Sequence, residues 1–423
     1  MEWQGFPNKE LPFFKVGDLD RALNGRDMMS SSDTISREDA LALRASVLPA
    51  SAIVYAKIGA ALLLNRRRVL AVPACIDNNM TGYIPNSLRA TYRWAHLALS
   101  QLDFARYVNP GAVPSLSEGV QSTLPIPLPP LPEQRAIVRY LDYMDRRIRR
   151  YVDAKRRLIA LLEEERQAIV NHAVTRGLDP NVRLKPSGVE WLGDVPEHWE
   201  VRRLKHWVGI NETVLPETTE PDLEFRYVDI GAVSTGVIVS EPVVTRFGGA
   251  PSRARRVVRT GDTIVSTVRT YLKATWFAEE VKDDMICSTG FAVLTPRKLV
   301  PPKFVSYLVQ SNAFTDRITA VSAGTAYPAI AESRLGSFHV ALPPLPEQRA
   351  IVEYLDKATS DIDAAIARAR RQVELVEEYR ARLIADVVTG TLDVREAAAA
   401  LPEEVGYHGP VEEGSPMAEE GEG

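Results

Sequence analysis

The sequence predicts an α/β (α+β) protein in which two mixed modules are separated by two long antiparallel coiled-coil helices, with an internal pseudo-two-fold repeat. Three observations predict it. Residues 128–142 read LPPLPEQRAIVRYLD and residues 342–356 read LPPLPEQRAIVEYLD, so fourteen of fifteen positions recur 214 residues apart. The match continues without a gap, with 25 of 52 positions identical between 128–179 and 342–393, and a tandem duplication is its economical origin. Between these blocks the pattern changes from long helical runs to short β-branched and aromatic runs broken by turn residues.

The elements follow in order. The first module, 1–127, holds the strand-like runs PFFKVGDL and SAIVYAKI, a short helical segment at 92–102 and a loop, GAVPSLS. A first helical spacer, 128–180, has no Gly or Pro from 133 to 176. Its Ile137, Leu141, Met144, Ile148, Tyr151, Leu158, Leu162 and Ile169 fall on a four-three spacing, interrupted at Lys155 and Glu165, which predicts a heptad seam on a rod of roughly 65 Å. The second module, 181–341, carries EFRYVDI, GVIVS, DTIVSTV and FAVLTP, a helix near 303–314 and a second loop, GTAYPAI. The second spacer, 342–394, repeats the seam with Ile351, Leu355, Ala358, Ile362, Ala365, Ala369, Val376, Tyr379 and Leu383. A lone helix of this length cannot bury its stripe, so the duplicate is the expected partner. Pro132 and Pro346 suit a first helical position, where a missing N–H costs nothing, and Gly177 and Gly390 are expected to end the rods.

Composition bounds the rest. With 423 residues, 45% of them apolar and 25% charged, the chain is long enough for two or three ordinary globular domains. No run of eighteen apolar residues occurs and the start has no leader pattern, so no membrane partner is expected and the location is expected to be cytoplasmic. The net charge of −4 hides an uneven distribution. Setting aside seven glutamates beyond residue 402 leaves 48 acids against 51 Lys and Arg, and 395–423 reads as a disordered acidic tail. The two cysteines, Cys75 and Cys287, lie at matching places in strand-like runs and read as buried thiols in a reducing compartment.

Taken together, the LPPLPEQ blocks at 128 and 342 and the stretch KPSGVEWLGDVPEHWE at 185–200 resemble the specificity (S) subunits of type I restriction-modification systems. The resemblance covers nearly the whole chain except the tail. It implies that 1–127 and 181–341 are target-recognition domains, each reading one half of a split double-stranded DNA target. It also implies docking of two copies of a modification (methyltransferase) subunit and of a restriction/translocase subunit. It places S-adenosylmethionine, ATP and Mg²⁺ in those partners, with no cofactor or metal in this chain. The alternatives are an S-like targeting subunit, half of a type IIB/IIG-like enzyme, or a truncated, partly functional copy. An enzyme with an unrecognised site, and a coiled-coil scaffold that touches only proteins, stand as the contrasting classes.

The residues themselves supply candidates. Arg246, Arg253, Arg255, Arg256, Arg259, Arg269 and Lys273 face a single acid, Asp262, and are interleaved with Thr263, Ser266, Thr267, Thr270 and Tyr271. Cations with such donors suit phosphates and base edges, although a solvated basic strand face would look the same. In the first module Arg66, Arg67 and Arg68 form the counterpart, with Asn78 and Asn79 as adenine-reading candidates. On the first rod, Arg146, Arg147, Arg149 and Arg150 read chiefly as a solvated face. Glu133, Gln134 and Arg135 recur as Glu347, Gln348 and Arg349. Helix capping explains the glutamates, but a cation is disfavoured in a first turn, so a duplicated docking surface competes with capping. No phosphate loop, HExxH, GxGxxG or amino-methyltransferase signature is present, and the six histidines have no ligand spacing, so no catalytic residue is expected. One departure stands out: about 30 residues precede the first matched strand of the second module, whereas only MEWQGFPNKEL precedes that of the first. The expectation is an N-terminally truncated first module.

Overall fold

The structure, a computed structural model, describes residues 8–402 apart from 23–24, 110, 112, 283 and 326. It divides into two compact units, Met1–Asp153 with Val373–Gly423, and Ala154–Gln372. Each unit therefore holds one module and part of each rod.

In the second unit, two four-stranded sheets share an apolar layer. One sheet has the order Val243–Arg246, Glu224–Val228, Met285–Ser288, Ala254–Val257, and its two central strands run parallel with Val228 opposite Cys287. The other has the order Val208–Ile210, Phe291–Pro296, Thr263–Ser266, Thr275–Phe277, all antiparallel. Val228, Cys287, Ile264, Phe291 and Val293 close the layer between them. On the far side of the second sheet, Val265, Ala292 and Leu294 pack against Phe304 and Val305 of the helix Pro302–Gln310, Phe314 of Asn312–Val321, and the rod residues Val170, Ala173, Ile351 and Leu355. The strand Thr263–Ser266 is covered on both faces, with Ile264 in one apolar layer and its neighbour Val265 in the other, so Thr263 and Ser266 are buried with them and the strand has no solvent face to display. Each such fully buried Phe or Leu contributes about 1.5–3 kcal/mol of transfer free energy.

The first unit repeats this plan in shorter strands. Thr34–Ile35, Leu11–Phe14 and Cys75–Ile76 form one sheet, with Phe13 opposite Cys75 in parallel, the counterpart of Val228 opposite Cys287. Asp27–Met28, Arg68–Leu70, Ile53–Ala56 and Met80–Tyr83 form the other. Phe14, Val54, Leu70 and Met80 fill the layer between, while Ile53 and Val69 meet Ala95 and Leu99 of the helix Tyr92–Ser100. Both cysteines are free and buried, and burial pushes the Cys287 thiol up to about 12 and raises that of Cys75. One difference bears on the expected truncation. The strand Val208–Ile210 flanks Phe291–Pro296, but among the described residues the equivalent edge of Met80–Tyr83 has no strand partner. Residues 1–7 lie outside the described residues.

The rods are the helices Leu131–Arg176 and Leu345–Val388. They pair antiparallel within each unit: Ile137 and Leu141 cluster with Leu383, Val387 and Val388 in the first, and Arg166 reaches Asp363 in the second. The seam differs from the expected phase. Covered positions fall at 137, 141, 145, 148, 152, 155, 159, 162, 166, 169 and 173, and again, each 214 residues later, from 351 to 387. Tyr151 (40% exposed), Leu158 (42%) and Tyr379 (50%) lie outside it, and Val152, Ile159 and Arg380 take the places one residue on. The cause is a second four-residue step, 137–141–145, which shifts every following alternation as a stutter does. The shift places one arginine in each seam, Arg166 and Arg380, and each is paired across it, with Asp363 at 2.8 Å and Asp145 at 2.6 Å. A polar residue at a core position costs stability and fixes register.

The boundary of the expected disordered tail also moves. Arg395–Ala399 is a short helix, and Val394 and Ala398 are buried, with Val394 packed among Ile137 and Leu141. Arg395 is held by Asp393 at 2.6 Å, which pulls the Asp393 carboxyl down to about 2. The remaining tail, 403–423, lies outside the described residues.

Candidate nucleic-acid interface

Strand ends bring three segments of the second module to one corner. Glu224–Val228 and Met285–Ser288 finish there, as does Thr263–Ser266. The Thr289 N–H donates to Arg253 O at 2.8 Å, the Thr267 N–H and hydroxyl donate to Gly290 O at 2.8 and 2.9 Å, and the Ile330 N–H donates to Thr267 O at 2.9 Å. The residue 267–273 turn and the residue 323–330 loop are thus stitched to the strand ends. Arg253 stays 54% exposed while its guanidinium meets Asp229 at 3.1 Å and the Tyr227 hydroxyl at 3.2 Å, which raises its pKa further. The Arg269 guanidinium lies 5.0 Å from the centre of the Tyr327 ring, and the Lys273 ammonium is 2.6 Å from Asp316. Tyr271 and Tyr327 are exposed. Cations aimed by one protein partner and still wet are suited to phosphate.

The structure divides the expected basic run. Arg253, Arg269, Tyr271 and Lys273 come together at this corner. Arg256 is a correction: it is 8% exposed and paired with Glu332, so it serves the interior. Thr263, Ser266, Thr267 and Thr270 are buried too, and the last three spend their hydroxyls on Val268 O, Gly290 O and Ser322. For Thr263 and Ser266 the reason is the two-sided burial of their strand, which leaves no face for base or phosphate. Arg246 bonds Glu224 at 3.0 Å at the opposite end of Glu224–Val228, Arg255 stacks 4.4 Å over Phe247, and Arg259 lies at the turn before Thr263–Ser266. Those three do not join the corner.

The first module builds the same corner from different residues. The Lys57 N–H donates to Asn79 O at 2.8 Å and the Leu116 N–H to Lys57 O at 2.9 Å, so the exposed Asn78–Asn79 turn, residues 57–65 and the loop near 115 meet. Arg66 is partly exposed and paired with Asp20. Arg67 is a correction. It is 3% exposed, its guanidinium sits 3.7 Å from the Phe104 ring centre and donates to Asn65 O at 2.7 Å and to Leu102 O, and burial lowers it to about 10. Arg68 donates to Leu19 O at 2.8 Å. Loop carbonyls left without partners take up these guanidiniums, so the triple-Arg run is mostly internal wiring. On the first rod Arg149 pairs with Asp145 at 2.8 Å and Arg147 lies 5.7 Å from the Tyr143 ring centre.

The duplicated rod starts resolve by residue. Gln134 (0% exposed) and Gln348 (2%) are buried, which removes them from any docking surface. The Gln134 amide donates to Pro129 O and Arg89 O, both at 2.8 Å, and its oxygen accepts the Thr91 N–H at 2.9 Å. Gln348 donates to the equivalent Pro343 O at 2.8 Å and Leu299 O at 3.5 Å. Each is a latch that ties a rod start to its module just ahead of the module helix. Glu347 accepts the Trp199 indole N–H at 3.1 Å and lies 2.6 Å from His198 Nε2, and Glu133 is 3.9 Å from Arg395. Among the described residues Arg135 and Arg349 are exposed and have no ion-pair partner.

Comparison with known proteins agrees with this architecture. The family model for the type I restriction modification DNA specificity domain matches residues 8–154 and 196–374, most of the chain and both modules. The chain belongs to this family. Among curated members, the type I restriction enzyme MjaVIII specificity subunit of Methanocaldococcus jannaschii is 24% identical over 67% of this chain, and the putative MjaX specificity subunit of the same organism is 25% identical over 70%. The chain spans 65% and 66% of the lengths of these two specificity subunits. A chain from a structural study of complex assembly and conformational transition of the type I R-M system shares the fold, with a TM-score of 0.58 and 19% identity, over 82% of this chain and 84% of its own. No helix among the described residues is long and apolar enough to cross a membrane. Sequence reasoning missed Tyr327 as a member of this type I specificity domain's corner; the aromatic inside GTAYPAI was the available signal.

Proposed function

We propose that this chain is the DNA-reading specificity subunit of a cytoplasmic type I restriction-modification complex, with each module reading one half of a bipartite, asymmetric target. The observation that carries the reading is that both modules, alike in strand plan but not in letters, gather the same three segments into a corner with exposed polar and cationic groups. Shared topology gives the two corners a common mode of binding, and divergent side chains give them different half-sites. The rods connect them with a duplicated seam. The chain itself is non-catalytic, scaffolds two modification subunits and a restriction subunit, and leaves S-adenosylmethionine, ATP and Mg²⁺ to them. Arg135 and Arg349, exposed and repeated, are the docking cations, while Gln134 and Gln348 act behind them.

The test is salt-dependent binding of the full-length chain, with its co-purifying subunits, to random-sequence duplex DNA. Replacing Arg253 and Arg269 by Ala is expected to weaken binding and to flatten the logarithmic salt dependence by about one unit for each phosphate left without its cation. An unchanged slope would place the DNA elsewhere. Among the described residues the edge of Met80–Tyr83 lacks a strand partner, which favours a second reading, in which the first half-site is read less strictly. A methylated motif with one degenerate half would distinguish it.

A further inference from the structure

A turn of unusual construction stands at the corner of both modules. In the second, the single 3-10 turn Thr270–Leu272 is flanked by Arg269 at φ 50° and Lys273 at φ 49°, two non-glycine residues in the left-handed region. In the first, the single helical turn Ala60–Leu63 is flanked by Gly59 at φ 84° and Asn65 at φ 53°. Each turn ends in two adjacent large apolar side chains turned to solvent: Tyr271 (54% exposed) with Leu272 (51%), and Leu63 (42%) with Leu64 (55%). Scattered exposed leucines need no explanation, but an adjacent pair on a turn bounded at both ends by left-handed residues, repeated in different letters, does.

Both turns are braced from behind. The Thr270 hydroxyl donates to Ser322 at 2.9 Å, Arg269 lies against Tyr327, and Lys273 is tied to Asp316. In the first module the buried Leu62 anchors the turn, while the Asn65 amide donates to Asp103 at 2.9 Å and its oxygen accepts the Phe104 N–H at 2.8 Å. The apolar tips are therefore presented rigidly, with little ordering left to do on binding. Their flanks carry cations, Arg269 and Lys273 in one module and Lys57 and Arg66 in the other. A cationic rim around a rigid apolar tip complements a groove of duplex DNA, whose walls are phosphate and whose floor is stacked bases.

We infer that these turns are paired apolar wedges, Tyr271–Leu272 and Leu63–Leu64, each of which enters a groove of duplex DNA and parts one base step in its half-site. The inference rests on the DNA-reading function proposed above. Phosphate contacts from the rim hold the module in place, while the wedge reads how readily a step unstacks, so it selects sequence through deformability rather than through hydrogen bonds.

The experiment uses the full-length chain with its co-purifying subunits, and random-sequence duplexes of about 200 base pairs from which bound molecules are selected and sequenced. The Tyr271→Ala/Leu272→Ala variant is expected to lose sequence preference in one half of the selected motif, and Leu63→Ala/Leu64→Ala in the other. The salt slope on unselected duplex should stay that of the wild type, because the phosphate contacts come from the rim and not from the tips. On the selected duplex, permanganate should find a hyper-reactive, unstacked thymine with the wild type that the variant of that half no longer produces. The side chains are exposed, so melting temperatures should hold, and Leu272→Met should retain the motif. An unchanged motif overturns the wedge. So does a changed motif with no permanganate signal in the wild type, which would mean edge reading, and so does loss of subunit assembly with DNA binding intact, which would make the tip a protein contact. If the wild type binds no duplex at all, the proposed function itself fails, which is a different result from intact binding that ignores the tips.

Discussion

The two glutamine latches predict an asymmetry that identical letters conceal. Gln134→Ala strips partners from three backbone groups, Arg89 O, Pro129 O and the Thr91 N–H, which are bonded at 2.8, 2.8 and 2.9 Å. An orphaned, partly buried group costs about 1–3 kcal/mol, so the loss should be about 3–5 kcal/mol. Gln348→Ala strips only Pro343 O at 2.8 Å and Leu299 O at the 3.5 Å limit, and it removes a buried amide oxygen that already lacks a partner. Its cost should be about 1–2 kcal/mol. The assay is amide hydrogen exchange of the full-length chain, comparing peptides of the helices Tyr92–Ser100 and Pro302–Gln310. Protection of the first helix should fall about a hundredfold or more in Gln134→Ala, and that of the second by about tenfold in Gln348→Ala. Equal losses in the two halves, or a loss below tenfold for Gln134→Ala, would refute the latch geometry.

Two further outcomes are expected. His96, held down to about 4 mainly by burial, stays neutral in the fold while its unfolded form titrates near 6.5. The unfolded state therefore takes up the extra proton between those values, so stability is full above about pH 6.5 and is lost progressively toward pH 4. Urea midpoints should report about 2 kcal/mol less stability at pH 5 than at pH 7, with the slope abolished in His96→Asn. Reversal of Arg135 and Arg349 to Glu together should prevent assembly with the modification subunit, while each single reversal leaves a one-to-one complex. Native mass measurement showing full assembly of the double variant would mean that these cations serve no docking role.

The duplication made the rods, their antiparallel pairing and the modular plan legible, because an identical block at a fixed offset leaves few alternatives. The seam phase was not legible. Tyr151 and Val152 are both apolar, as are Leu158 and Ile159, and one extra four-residue step decides between them. The basic run misled for a related reason: Thr263 and Ser266 lie in a strand covered on both faces, and Arg256, in the separate strand Ala254–Val257, is taken up by Glu332, although their letters suit DNA. Gln134 would be an ordinary surface glutamine in a single copy. Its recurrence as Gln348 marked a constraint, but only the backbone carbonyls at 89, 129, 299 and 343 show that the constraint is internal.

The central claim is that two modules read two half-sites independently, and a module exchange tests it most directly. Replacing residues 177–341 with the corresponding module of another family member, and mapping methylated motifs genome-wide by single-molecule sequencing, should change one half-site and leave the other half-site and the gap untouched. A continuous motif, or an exchange that alters both halves or the gap, would contradict the account.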